Sequence, residues 1–373
     1  MRPALKPGLL PVWRNRDTMQ IGIDHRRAIA LTGMRGTGGL LRLLDGSRDR
    51  VQVLSAAREL GIDPAAADRI MSLLAAGGAL DDIPASTYDT LPAALRARLA
   101  PELAAASIAH GDGDGGARTL ARRRAACVRV HGASRAGLSI AALLTSAGIG
   151  LVISAGPATA RQPDARLDLP APPPGLPTDA AAASAPVRPG APQSLEARPG
   201  QGPSAQAQAG QARSGQTRSG QTRPGHAGRA RPRRPSLVIL ADSHRRELPA
   251  VLCRDQVPHL AVSASEAIGV VGPLVLPGRS ACLRCLDLTR AERDPAWPLI
   301  LAQLAGHAAT SPVACDAVLT AMVAAQAAAQ ALAFIDRGPD APAVVSGTLE
   351  LVLPGWQWRR RTWRPHPECG CRR

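Results

Sequence analysis

With 373 residues the chain is long enough for two domains, and it is 45% hydrophobic but only 2% aromatic, so its cores are expected to be built from Ala, Leu, Val and Ile. The net charge of +16 is carried almost entirely by arginine, Lys6 being the only lysine, and seven clustered cysteines are too few for a disulfide scaffold. The opening "MRPALKPGLLPVW" lacks the apolar run of roughly 7–15 residues that marks a secretory signal, which predicts a cytoplasmic protein.

Residues 1–84 read as one small unit. "LLPVWRNRDTMQIGID" and "AIALTG" predict strands around a turn, and "GLLRLLDG", "RDRVQVLSAAREL" and "PAAADRIMSLLAAGG" predict three helical segments. The last opens on Asp63-Pro64, a cap followed by the residue best suited to a first helical turn, and closes on Gly77-Gly78. A winged-helix domain is the economical assembly of these pieces. Residues 85–124 predict Ala/Arg-rich helix broken by "HGDGDGG", a helical linker.

At 125–156 the pattern changes to strand, glycine turn, helix, strand: "CVRVHGASRAGLSIAALLTSAGIGLVIS" is one βαβ unit. Leu138 to Gly156 carries no charge over about the length of a bilayer-crossing helix, but Gly148, Gly150 and the β-rich "GLVIS" predict a buried helix followed by a strand. From 157 to 235 Pro, Gly, Gln, Ala and Arg dominate, a composition that cannot bury enough apolar surface to offset its conformational entropy, so a disordered insert is expected. Strands resume at "PSLVILAD" and continue through "HLAVSA" and "GVVGPLVLPG". A long Ala-rich helix over about 313–335, with two glutamines and Asp316, and a β-rich tail complete an α/β domain over 236–373.

Two cysteine pairs stand out. Cys282 and Cys285 lie in "CLRC", and Cys369 and Cys371 in the terminal "HPECGC". Two such turns are what a tetrahedral zinc ion bound by four thiolates requires, and an all-sulfur shell leaves no position for a reacting water, so the ion is expected to be structural. Free thiols and a redox pair are the alternatives; a redox pair leaves the terminal cysteines unexplained. His366 is a possible substitute ligand, although a histidine on a Pro-rich turn is more often simply exposed. Cys127, Cys253 and Cys315 read as small buried apolar residues, and Trp356 and Trp358 as residues lining one face of a strand.

"VRVHGASRAG" has Gly132 and Gly137 in the outer places of a dinucleotide fingerprint, with Ser134 where the glycine that admits a phosphate would be. This turn, the strand ending in Asp242, "VGPLVLPGRSACLRCLDLTRAERDPAWP", the helix "AVLTAMVAAQAAAQALAFID" and "HPECGC" together resemble the ThiF/MoeB/HesA family. More narrowly they are similar to the ThiF-like cyclodehydratase or TOMM leader-peptide-binding proteins, in which a PqqD-like winged helix precedes a Rossmann-like ThiF-type domain. The resemblance implies ATP at the glycine turn, magnesium at Asp242, a homodimer, and a YcaO-type partner enzyme acting on a precursor peptide. Three departures argue that nucleotide chemistry has decayed: no carboxylate after "VIS" to hold a ribose, low-complexity sequence in place of the segment that should supply the Arg/Lys set, and no lysine outside residue 6 to contact phosphate.

The expected function is therefore capture of a leader peptide by strand addition to "QIGID" or "AIALTG" beside the helix bearing Ile70, Leu73 and Leu74, and its delivery to the partner enzyme, with no catalytic residue in this chain. An active adenylyltransferase is the first alternative. A basic winged-helix nucleic-acid binder is the second, disfavoured because "AAADRIMSLLAAGG" lacks the side chains that read base edges. No membrane partner is expected.

Overall fold

The computed structural model describes residues 1–132, 134–155, 234–241, 247–306 and 314–371. The low-complexity stretch and Asp242 lie outside the described residues.

The first 84 residues build a core of their own. Strand β1 (Pro3–Leu5) is followed by an antiparallel meander of β2 (Pro11–Trp13), β3 (Met19–Ile21) and β4 (Ile29–Leu31), in which Gln20 faces Ala30. Helix α1 (Arg50–Glu59) starts because Asp49 accepts from the Gln52 amide while Gln52 accepts in return from the Asp49 amide, satisfying two donors a helix start leaves orphaned. Helix α2 (Pro64–Ala76) is capped by Asp63, whose carboxylate accepts from the Ala65 and Ala66 amides, with proline in the first turn. Its Ala67, Ile70, Met71 and Leu74 recur on one face and close over Ile21, Leu31, Leu40 and Val53. Strand β5 (Leu80–Asp82) then pairs antiparallel with β1.

Helices α3 (Ala93–His110) and α4 (Ala117–Ala125) follow. They are helical as expected, but they are packed against the rest of the chain. Buried Arg123 of α4 donates to Asp336 at 2.7 and 2.9 Å, to Glu102 at 3.0 Å and to the Ala147 carbonyl at 2.9 Å. Lys6, also buried, donates to the Ser107 carbonyl at 2.8 Å and joins α3 to the N-terminal strands.

The remainder is a seven-stranded sheet. Its elements are β6 (Cys127–His131), α5 (Arg135–Ser146), β7 (Leu151–Ala155), β8 (Leu237–Ala241), α6 (Glu247–Arg254), β9 (His259–Ser265), β10 (Ile268–Val275), α7 (Leu283–Arg293), α8 (Trp297–Gly306), α9 (Ala317–Arg337), β11 (Gly347–Val352) and β12 (Gln357–Thr362). The strand order is β12-β11-β10-β9-β8-β6-β7, with the β9 to β7 half parallel and the β9 to β12 half an antiparallel meander. This is the mixed α/β architecture read from the sequence.

Because successive side chains of a strand point to opposite faces, each strand serves two layers. Leu237, Ile239 and Ala241 of β8, with Leu260, Val262 and Ala264 of β9, pack into the layer shared with α5 and α9. Val238 and Leu240 meet Leu252 of α6 and Leu283 of α7 on the other face. Helix α9 is long and apolar enough to cross a bilayer by composition alone, and its Leu319, Val323, Ala327 and Ala331 are spent on the sheet core.

Candidate functional site

Helix α7 organises the site. Cys282 is its N-cap residue and Cys285 sits in its first turn, while the C-terminal tail returns Cys369 and Cys371 to the same place. The four Sγ atoms lie within 4.8 Å of one another, with separations of 3.7 Å (Cys282 to Cys285), 3.4 Å (Cys282 to Cys369) and 3.5 Å (Cys285 to Cys371). Two distant sequence pairs thus form one cluster able to hold a metal ion.

The environment favours thiolate at one corner. The Cys282 thiol is held down at about 4, chiefly by a hydrogen bond from the Cys253 thiol and further by the Cys285 amide, against the opposing effect of burial. Burial pushes Cys369 up and raises Cys371 to about 11. Cys253, read from the sequence as an ordinary apolar residue, packs against the cluster as a fifth thiol. Nothing in its local sequence signals this, since α6 reaches the cluster only through the fold.

His366 is not exposed, in contrast to the sequence expectation. Its Nδ1 accepts from the Glu368 amide at 3.2 Å, which leaves Nε2 to donate to Glu292 at 2.7 Å. Both ring nitrogens are therefore used in tying the tail to the far end of α7. Trp358 packs partly into the main core, whereas Trp356 stands exposed in the turn before β12.

The glycine turn has a packing explanation. Gly132 has φ +115°, and a Cβ there would collide with the carbonyl oxygen of Ala241. A Cβ on Gly137 would sit 2.8 Å from the Gly132 oxygen and 3.2 Å from Cβ of Ala241. Both glycines let α5 and β6 approach β8 closely. Ser134 caps α5 by accepting from the Gly137 amide at 3.2 Å, so that donor is already engaged within the turn.

Between the turn and α7 opens a cavity of about 650 Å³ that the sequence did not disclose. Its floor is the sheet face turned away from α5 and α9, formed by Leu240, Ala261, Ser263 and Val270. Leu283, Leu286 and Arg290 of α7 make a wall, and Ser134, Arg135, Cys315 and Thr320 lie at the ends of α5 and α9. Cys315 is partly buried, with Sγ 3.1 Å from the Thr320 hydroxyl. Arg290 stacks between Trp297 and Trp363, at 5.0 and 5.4 Å from their ring centres. Burial pushes its pKa below the usual arginine value, opposed by Asp287 and Glu350 and reinforced by Arg361. The available signal was the i, i+3, i+7 spacing of Leu283, Leu286 and Arg290 beside two tryptophans in a chain nearly free of aromatics.

Comparison with known proteins finds no matching family model and no matching curated protein. Solved structures do match. The heterocyclase TruD is 14% identical at a TM-score of 0.56, over 99% of this chain and 42% of that one. MccB of E. coli, solved with AMPCPP and MccA, is 12% identical at 0.56, over 100% of this chain and 99% of its own length. The chain has the fold of MccB and these heterocyclases. That is the fold implied by the resemblance to ThiF-type proteins. The chain spans about two fifths of the heterocyclases' length, as a second one, solved with substrate and cofactor, also shows at 39%.

Proposed function

We propose that the chain is a scaffold of peptide natural-product biosynthesis, which binds a precursor peptide through its N-terminal sheet and presents it to a partner modifying enzyme of YcaO type. The observation that carries this reading is the edge of β4. Among the described residues β4 pairs only with β3, and it lies beside α2. There Ile70 and Leu74 are committed to the core, but Leu73 is 56% exposed and Ile29 is half-buried. An unpaired edge next to free apolar side chains suits an added strand, whose backbone supplies affinity and whose side chains supply specificity. The fold shared with heterocyclases supports the pathway.

The proposed ion is structural zinc held by Cys282, Cys285, Cys369 and Cys371. A regular tetrahedron with Zn–S bonds of about 2.3 Å has edges of about 3.8 Å, and the Sγ separations of 3.4, 3.5 and 3.7 Å approach that value. When bound, zinc would cross-link the tail to α7 and supply no reaction centre. The chain is read as a cytoplasmic homodimer.

The test is fluorescence anisotropy with the leader portion of a short precursor peptide encoded beside this gene. Leu73→Glu should weaken binding at least about tenfold, the penalty for placing a charge in an apolar contact, while leaving far-UV circular dichroism unchanged; undiminished binding by this variant rejects the β4 site. The near-complete length match to MccB, which has also been solved with ATP, favours a second reading as an adenylyltransferase. Saturable ATP·Mg binding in calorimetry would put that reading first.

A further inference from the structure

Strand β12 ends the seven-stranded sheet and pairs on one side only, with β11, among the described residues. Alternate backbone amides and carbonyls of such a strand point outward, free to pair with a further strand. The edge is held from both faces. Trp358 packs partly into the main core, and Trp363, one residue beyond the strand, belongs to the apolar cluster around the thiols. An incoming strand therefore meets a preformed edge, and only the newcomer has to be ordered.

The charge of this edge has one sign. Arg359, Arg360, Arg361 and Arg364 are all exposed, and Glu350, 3.9 Å from Arg361, is the only carboxylate on β11 or β12. Arg359 and Arg364 have no hydrogen-bond or ion-pair partner among the described residues. Arg360 is partly used, donating from Nε to the Ala343 carbonyl and from Nη1 to the Thr362 hydroxyl, both at 2.8 Å. Arg361 lies over the Trp363 ring, 5.3 Å from its centre, a stack that leaves its in-plane donors available. Charged side chains guard many sheet edges against self-association, but that role does not need an indole in water. Trp356, just before the strand, is 40% exposed and has φ +48°, a conformation costly for a bulky side chain.

Charge also selects the occupant. A second copy of this edge would set Arg359, Arg360 and Arg361 against the same three residues, and like charges directly opposite repel. Strands β2, β4 and β7 carry no carboxylate to offer it. The chain's own 157–235 stretch holds more arginine than acid. Successive strand residues point to opposite faces, so these arginines ask for adjacent acidic residues rather than alternating ones. Nucleic acid would balance the charge, yet it has no amide ladder for the free backbone, and its phosphates follow one line whereas the arginines lie on both faces.

We propose that β12 is a docking edge for an acidic segment of a partner protein, which adds as a further strand with a run of Asp or Glu across Arg359, Arg360 and Arg361 and an apolar side chain against Trp356. Main-chain pairing supplies affinity and the charges supply selectivity. This surface is separate from β4, and the proposal does not rest on peptide capture there.

The test uses the full chain and fluorescence anisotropy. The probes are the labelled peptide acetyl-Leu-Thr-Glu-Glu-Glu-Val-amide, its Gln counterpart, its Lys counterpart, and two N-methyl isomers carrying methyl groups on one or the other alternate set of amides, with oligothymidylate as the nucleic-acid probe. The acidic peptide should bind at least about tenfold more tightly than the Gln peptide, from three opposite-charge cross-strand pairs. Strand addition uses alternate amides only, so one N-methyl isomer should bind like the parent and the other at least about tenfold more weakly. Arg359→Glu, at an exposed and unpartnered position, should keep its far-UV circular dichroism, weaken the acidic peptide at least about threefold, and bind the Lys peptide better than the wild-type chain does. Absence of saturable acidic-peptide binding below about 1 mM, equal binding of the acidic and Gln peptides, equal binding of the two isomers, or no effect of Arg359→Glu overturns the proposal. Oligothymidylate bound more tightly than the acidic peptide overturns it in favour of nucleic acid. Loss of binding in Leu73→Glu with none in Arg359→Glu assigns the peptide to β4 and also overturns the β12 site.

Discussion

Replacing Arg123 by methionine tests how the α3–α4 segment is joined to the sheet domain. The side chain is 9% exposed and Asp336, its main partner, is 4% exposed. Without Arg123 the buried carboxylate keeps only His110, at 3.7 Å, as an ion-pair partner among the described residues. Removing one member of such a pair costs about 3–5 kcal/mol, because the other charge is left desolvated and uncompensated. Loss of the donor to the Ala147 carbonyl adds about 1 kcal/mol, whereas Glu102, 40% exposed, is screened by water and adds little. Against a total stability of about 5–15 kcal/mol this is a large fraction. Urea unfolding followed by circular dichroism should show the loss as a lowered midpoint. The double variant Arg123→Met/Asp336→Leu should recover most of it, because no lone charge remains. A single-variant cost below about 1 kcal/mol, or a double variant no better than the single, refutes the reasoning.

Purified protein should contain one zinc per chain by elemental analysis, and Cys285→Ser should lose it; metal-free wild-type chain would remove the basis of the thiolate centre. Buried His259 donates from Nδ1 to the Val257 carbonyl at 3.0 Å, has no partner for Nε2 among the described residues, and is pushed by burial below the ordinary value of 6.5. It stays neutral when folded and takes a proton when unfolded, so its contribution is intact above about pH 6.5 and is lost as pH falls below it. The drop in unfolding midpoint between about pH 7.5 and about pH 5.5 should therefore be smaller in His259→Gln; an equal drop rejects this assignment. In the glycine turn, Ser134→Ala should cost about 1 kcal/mol as a lost cap, and Gly137→Ala more, since its methyl group meets Gly132 and Ala241. The reverse order in thermal unfolding would show that close packing does not explain the glycine.

Local features were legible in the sequence because a few adjacent residues determine them. The Asp63-Pro64 start of α2 is settled by hydrogen bonds spanning three residues, and the βαβ unit of β6, α5 and β7 by apolar periodicity. Each cysteine pair announced a thiol turn, and the resemblance carried by the 270–298 motif pointed to the fold. Which face each residue would occupy was not legible. Ile70, Leu73 and Leu74 are near neighbours of equal apolar character, yet only Leu73 is left exposed once the sheet covers α2. The convergence of the thiols, the approach of Cys253, the buried role of His366, the docking of α3 and α4 through Arg123, and the Arg290 stack against Trp363 all join segments distant in the chain. Sequence determined the local hydrogen-bonding and the apolar period of each element. The tertiary structure alone decided which donors, charges and rings meet, because desolvation and packing act on neighbours in space whatever their separation along the chain.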